Sequence, residues 1–307
     1  MKVADVSPRE FDAQLAGEGV CLDCGPYVVR ITSSVREVAT GLRFHYADFP
    51  LHESRGFVDF AIVVRHTSLL RRFLRPQVNF YCDGKIPFKP VPASQAFPML
   101  EWGLNWVIST HAHDHLVLHG AVLEREGRAL ILAADPGSGK STLCAGLVDA
   151  GWRLLSDELT LIDLDCGRIR AIARPVSLKN ESINVVRDFG AHTQVGEICV
   201  GTTKGVVAHM RPPLESVERR GESADPAWIV FPGFTRDGRL SVQRVGKAAA
   251  FMELTRHAFN YAPLSESAFE ALVRVTDACD IYRIAYGGLD EVVPLLDRMS
   301  RSAEPIA

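Results

Sequence analysis

The chain of 307 residues is 47% hydrophobic and 23% charged, the composition of a globular protein with a sizeable core and not of a disordered one. Its 34 Lys+Arg against 37 Asp+Glu leave a formal charge of −3, which supplies no broad basic footprint for a nucleic-acid backbone. The longest apolar runs, such as residues 129–134, are too short to cross a bilayer, and the opening Met1-Lys2-Val3-Ala4-Asp5 has no apolar signal-peptide run; the reading is a soluble, cytoplasmic protein with neither a membrane nor a nucleic-acid partner.

The first hundred residues read as mixed α and β. Ser7, with Pro8 and Glu10 behind it, opens a capped helix over 7–15. β-branched and aromatic stretches over 27–32, 57–65 and 78–82 predict strands. Residues 68–74 form a basic piece carrying Arg71 and Arg72, read as a solvated face. Proline recurs through 86–98, which makes that stretch the boundary candidate, with an N-terminal α+β domain over 1–95 and a second domain over 96–307. Beyond it, 99–116 has helical length and an apolar face. Two β-rich runs follow, 117–123 and Arg128–Ala133, around the turn formers Glu126 and Gly127. A glycine-bearing loop over 135–139 leads into a helix over Lys140–Asp149, ended by Gly151. Strands are expected at Arg153–Ser156, 159–164, 227–231 and 281–286, and helices at 247–259, 266–277 and 289–299. Such alternation predicts an α/β fold. The seven cysteines, Cys21, Cys24, Cys82, Cys144, Cys166, Cys199 and Cys279, are scattered; the one C-x-x-C pair has no second pair to complete a zinc site, so they read as structural thiols.

The segment from Ala134 to Thr142, Ala-Asp-Pro-Gly-Ser-Gly-Lys-Ser-Thr, matches G-x-x-x-x-G-K-[ST] except that Ala134 stands for the first glycine. An apolar strand runs in and a helix runs out, as a phosphate-binding loop requires. Gly137 and Gly139 permit the tight turn that converges amide N–H groups on phosphate oxygens, and the helix N-terminus adds its positive dipole end. The motif thus sets Asp135, Pro136, Gly137, Ser138, Gly139, Lys140, Ser141 and Thr142 around nucleotide phosphates. Lys140 supplies a point charge to the β- and γ-phosphates, and the Ser141 hydroxyl suits Mg²⁺.

Downstream, Ser156-Asp157-Glu158 sets two adjacent carboxylates after a short strand. They suit a metal ligand and a proton acceptor, or equally an acidic turn facing solvent, and the residues alone leave both readings open. The run His111-Ala-His113-Asp-His115 invites comparison with the H-x-H-x-D-H signature of metallo-β-lactamase-like hydrolases. The spacer before the aspartate is missing, so His111, His113 and His115 are read as polar residues at a helix end.

Taken together, His119-Gly120-Ala121-Val122, the phosphate loop and the acidic pair resemble the core of HPr kinase/phosphorylase over residues 117–165. Phe97-Pro-Met-Leu-Glu-Trp-Gly-Leu-Asn-Trp106, Arg174-Pro-Val-Ser-Leu-Lys-Asn180, Thr202-Thr-Lys-Gly205, Ala208-His-Met-Arg-Pro-Pro213 and Phe259-Asn-Tyr261 extend the resemblance, over nearly the whole chain, to the HPr-kinase-related kinase A family. The resemblance implies a P-loop kinase core of the HPr kinase/phosphoenolpyruvate carboxykinase type and transfer of a phosphoryl group from ATP with Mg²⁺ to a serine of a protein or peptide. It implies Asp157 as the acid/base residue, His119 as its assistant, Lys140 on the phosphates, and Ser141 and Glu158 as Mg²⁺ ligands. It also makes a homo-oligomer an expectation. Glu158 stands where the family has aspartate, and the E-I-R-G-L-G segment is absent, so the resemblance carries neither phosphorylase activity nor HPr as substrate. Arg174, Lys179, Lys204 and Arg211 are candidates for the transferring phosphoryl group or for surface charge. A small-molecule kinase and a non-catalytic nucleotide-binding module are the rival readings.

Overall fold

The computed structural model describes residues 1–53, 56–190 and 193–302. In the N-terminal part, α1 (Pro8–Ala16) starts where Ser7 Oγ accepts from the Glu10 amide at 3.3 Å. After it come β1 (Val20–Asp23), β2 (Val28–Ser33), α2 (Arg36–His45), β3 (Leu51–His52), β4 (Phe60–His66), α3 (Leu69–Phe73), β5 (Gln77–Cys82) and β6 (Val91–Pro92). The six strands form one sheet in the order β3-β1-β2-β4-β5-β6, parallel only between β2 and β4. Helix α4 (Ala96–His111) lies in the same core, with Leu100, Leu104, Val107 and Ile108 among Ile62, Val64 and Phe80. That core also takes in Val117, Leu159 and Leu161, so it runs on into the next sheet.

One sequence expectation needs correction here. The helix expected over 99–116 begins at Ala96 and ends at His111, and a strand begins at His115. Apolar Leu116, Val117 and Leu118 extend the helix's hydrophobic pattern without a break, so only the polar stretch around Asp114 marks the change of period. The 68–74 piece is solvated as expected, but beside its two arginines α3 also leaves Leu69, Leu70 and Phe73, with Leu74 behind it, exposed.

The remaining elements are β7 (His115–Arg125), β8 (Arg128–Ala133), α5 (Lys140–Asp149), β9 (Arg153–Ser156), β10 (Leu159–Asp163), β11 (Ile169–Arg170), β12 (Val176–Lys179), α6 (Glu181–Phe189), β13 (Cys199–Thr202), β14 (Gly205–Met210), α7 (Leu214–Glu218), β15 (Asp225–Phe234), β16 (Ser241–Arg244), α8 (Lys247–His257), α9 (Tyr261–Leu264), α10 (Glu266–Ala278), β17 (Asp280–Tyr286) and α11 (Leu289–Arg301). The eight-stranded sheet runs β11-β10-β7-β8-β15-β17-β16, with β9 also on β7. Strands β8, β15 and β17 are mutually parallel. Strand alternation divides their side chains between two cores. Leu130 and Leu132 pack with α5 and α11, whereas Ile131 and Ala133 face α8 and α10. The result is a helix–sheet–helix sandwich, a mixed α/β architecture.

Strand β15 carries Pro226 and Pro232 between two parallel neighbours, where a missing N–H would normally break the ladder. Pro226 sits at a register shift, and Pro232 lies past the last β8 pairing at Val230–Leu132. Beyond it, the Phe234 amide donates to Ser138 O at 3.1 Å, which ties the strand end to the glycine loop. A three-stranded sheet, β12-β14-β13, completes the fold beside α5 and α6. All seven cysteines are free thiols. Among the described residues no helix is long and apolar enough to cross a membrane.

Candidate active site

The loop between β8 and α5 turns on two glycines in the left-handed region, Gly137 and Gly139, both at φ 91°. Gly139 is also the residue before the first turn of α5. A Cβ there would stand 2.6 Å from Tyr286 Oη and 3.0 Å from Phe234 Cβ, so position 139 excludes a side chain by strain and by space alike. A Cβ on Gly137 would meet nothing within 4 Å, because that side of the loop is open. The α5 N-terminus therefore presents free amides beside open space, the arrangement that suits an anion.

Lys140 is 7% exposed, and its ammonium donates to the loop carbonyl of Ala134, to Asp135 O at 3.4 Å and towards His119 Nε2 at 3.4 Å. Burial lowers its pKa, against the pull of Asp157 and Glu158. His119 stands on β7 opposite Leu159 of β10. Burial, then the neighbouring Lys140 charge, push its imidazole down to about 4, so it is neutral and can accept from that ammonium. The hydrogen-bond partner of His119 is thus Lys140, whereas the sequence resemblance implies assistance to Asp157.

Strand β9 delivers Asp157 to the end of α5. The carboxyl is 4% exposed; Oδ2 accepts from the Ser177 amide at 2.9 Å, and Oδ1 has no partner. Burial, and next the charge of Glu158, push its pKa up to about 7, while the Ser177 amide and the Ser141 hydroxyl pull the other way. A carboxyl that changes charge near neutrality, with one free oxygen, is fitted to take up a proton.

Glu158, its neighbour in the bend between β9 and β10, lines the same small cavity but has other partners. Its Oε2 accepts from Asn105 Nδ2 at 2.5 Å, and Lys179 Nζ lies 3.9 Å from Oε1. Asn105 Oδ1 in turn accepts from Arg174, whose guanidinium is 3.5 Å from Glu101 Oε2. Glu101 is buried and takes a 2.8 Å hydrogen bond from Tyr46 Oη. Its pKa is raised by burial in spite of Arg174.

The structure sorts the four basic candidates. Arg174 and Lys179 stand beside the acidic pair, and Lys204 Nζ sits 4.7 Å over the Trp102 ring nearby. Arg211 is held by Asp48 of the N-terminal part and does not join them. The sequence reading gave no role to Asn105, Glu101 or Ser177. The first two had a signal: they are polar residues four apart on a helix that is otherwise apolar on that face. Ser177 acts through its backbone amide, which no residue type announces. Of the histidine run, His115 is buried against Tyr27 Oη at 3.0 Å, and His111 bonds its own helix through Val107 O. Among the described residues no group of three or more His, Cys, Asp or Glu is placed to hold a metal ion. A site for a hard cation would have to draw on the Ser141 hydroxyl and the Asp157–Glu158 pair together with a ligand's own oxygens.

A family model described as SynChlorMet cassette protein ScmC matches residues 94–175, a stretch running from the start of α4 through the glycine loop and the acidic pair to Arg174. No curated protein matches the chain. A solved structure titled Hpr(Ser) kinase/phosphatase from Coxiella burnetii is similar at 10% identity, covering 60% of this chain and 93% of that one, with a TM-score of 0.25.

Proposed function

We propose that the chain is an ATP-dependent kinase of the HPr-kinase-related type that transfers the γ-phosphoryl group to a hydroxyl, the serine of a protein or peptide. The observation that carries this reading is Asp157: a buried carboxyl with a free oxygen and a pKa near 7, set against Ser141 at the open N-terminal end of α5. The loop amides and Lys140 bind the triphosphate, for which the carbonyls of Ala134 and Asp135 now compete. Mg²⁺ on Ser141 and Glu158 would neutralise charge on the β- and γ-phosphates. Asp157 Oδ1 takes the acceptor's proton as its oxygen bonds to the γ-phosphorus and the bond to the β-phosphate oxygen breaks, releasing ADP. Neutral His119 accepts from Lys140 and aims it without adding a second positive charge. Positioning and electrostatics do most of the work, since the reaction demands little covalent chemistry from the protein.

The test compares wild type with Lys140→Ala for ATP affinity, and for Mg²⁺-dependent release of phosphate to water and transfer to serine peptides or free serine. Lys140→Ala should weaken ATP binding about 10- to 100-fold, the worth of a charge-assisted hydrogen bond, and abolish turnover. Tight ATP binding by wild type with no transfer even to water would favour a nucleotide-binding module; transfer to free serine alone would favour a small-molecule kinase. Unchanged ATP affinity in the variant would end the phosphate-loop assignment.

A further inference from the structure

Strands β4 and β5 pair antiparallel from His66–Val78 to Ile62–Cys82, so α3 sits at the turn of a hairpin. Every residue from Ser68 to Pro76 is exposed, including four large apolar ones: Leu69 at 83%, Leu70 at 69%, Phe73 at 80% and Leu74 at 63%. The turn has a fixed shape, because Ser68 Oγ accepts from the Arg71 amide at 3.2 Å and opens the helix. At about 100° per residue, Leu69, Leu70 and Phe73 share one face of α3, and Arg71 and Arg72 take the other side. The apolar face of this helix is therefore in water. From Phe60 to Cys82 the chain holds four arginines, Arg65, Arg71, Arg72 and Arg75, and no Asp or Glu. Among the described residues no carboxylate pairs with Arg71, Arg72 or Arg75.

Exposed apolar side chains in one contiguous patch gain free energy wherever something covers them, and the charge beside them selects the cover. A second copy of this chain in a two-fold contact would set the same arginines against one another. A protein pocket that took in Leu70 and Phe73 would also draw in guanidiniums from the same short helix, which is costly unless each finds a carboxylate. A bilayer surface separates the two kinds of side chain. Leucine and phenylalanine enter the acyl boundary, while arginines reach back to the headgroup phosphates. The formal charge of −3 is summed over the whole chain, but a surface acts over a screening length of about 10 Å and meets the local arginines. We propose that the α3 tip docks this protein on a membrane surface rich in anionic lipid, with Leu69, Leu70, Phe73 and Leu74 inserted. The proposal does not depend on the kinase reading, and it replaces the expectation of a chain without a membrane partner.

The experiment uses the full chain with vesicles of phosphatidylcholine alone and of phosphatidylcholine mixed with phosphatidylglycerol, at physiological salt. Sedimentation reads partitioning, and a Phe73→Trp variant reads insertion through quenching by brominated acyl chains. The protein should partition onto the mixed vesicles at least about tenfold more strongly than onto the neutral ones, and the fluorescence added by Phe73→Trp should be quenched there. Arg71→Gln/Arg72→Gln should partition about 25-fold more weakly, two charges at about fivefold each. Leu70→Ser/Phe73→Ser should lose more than about tenfold. Both double variants change exposed positions only and should melt like wild type. Polyglutamate stands in for an acidic protein partner, and light scattering detects a second copy. Absence of binding to the mixed vesicles, partitioning that either double variant leaves unchanged, or an unquenched Phe73→Trp would overturn the proposal. So would binding to polyglutamate without binding to vesicles, or self-association that Leu70→Ser/Phe73→Ser abolishes.

Discussion

Replacing Asp157 by Asn should make the protein more stable at pH 8 while disabling it. The fold raises the Asp157 pKa from an ordinary 3.8 to about 7. At about 1.4 kcal/mol per pH unit, keeping this carboxylate ionised costs the folded state roughly 4 kcal/mol. The sign follows from where protons sit. Below pH 3.8 the group is protonated folded or unfolded, and nothing is lost. Between about pH 4 and 7 the unfolded chain releases the proton and the folded chain keeps it, so wild-type stability falls as pH rises. Above 7 the full penalty is present. Asn presents its carbonyl to the Ser177 amide as Asp157 Oδ2 does at 2.9 Å, and carries no titrating charge.

The assay is urea unfolding of both proteins at five pH values from 4 to 8, without nucleotide or Mg²⁺. The stability of Asp157→Asn relative to wild type should climb across pH 4–7 by up to about 4 kcal/mol and then level off. Taking the difference cancels the titrating groups that do not interact with Asp157. Turnover of the variant should fall about 10²- to 10⁴-fold, the usual worth of a positioned base. A stability difference that stays flat from pH 4 to 8 would refute the raised pKa, and with it the case for Asp157 as the proton acceptor.

Gly139→Ala should destabilise the chain more than Gly137→Ala. Both incur the strain of positive φ, about 1–3 kcal/mol, but only the first also drives a methyl into Tyr286 and Phe234; equal melting temperatures would refute the packing argument. Glu101→Ala leaves Arg174 buried without its carboxylate and should cost about 3–5 kcal/mol in urea unfolding, against less than about 1 kcal/mol for a surface pair such as Lys2–Glu218. Glu158→Gln should raise the Mg²⁺ concentration for half-maximal turnover about tenfold, one lost charge contact, and unchanged Mg²⁺ dependence would remove Glu158 from the metal.

Much of this was legible in the sequence because its signals are local. Strand β8, the glycine loop and α5 announce themselves by an apolar run, two glycines and a helical stretch ended by Gly151, and their bounds agree with the expectation for Arg128–Ala133 and Lys140–Asp149. What could not be read was long-range. The pairing of β12 with β14 joins residues about thirty apart through short strands with weak alternation. The adjacent carboxylates suited two different tasks, and in the bend between β9 and β10 they have different surroundings: one carboxyl is sealed against the Ser177 amide, the other is held by Asn105. Whether an acidic pair faces solvent or a site depends on what covers it, and the cover here is α4.

That cover assigns the N-terminal part a physical task. Helix α4 is anchored by Leu100, Leu104 and Val107 in the core of the six-stranded sheet, and from the same helix Glu101 and Asn105 reach across to the acidic pair. The chain of contacts runs from Tyr46 to Glu101, Arg174, Asn105 and Glu158. Without it, Glu158 would have only Lys179, at 3.9 Å and partly in solvent, a contact worth little. A hydrogen bond from Asn105 to a charged carboxylate is worth about 1.5–3 kcal/mol, enough to fix one rotamer among several. The direction of Glu158 is therefore set by the packing of a sheet to which it does not belong. Large-to-small substitutions at Leu104 or Val107 act on the site through that helix, whereas changes at Arg211, tied to Asp48, leave Glu158 in place.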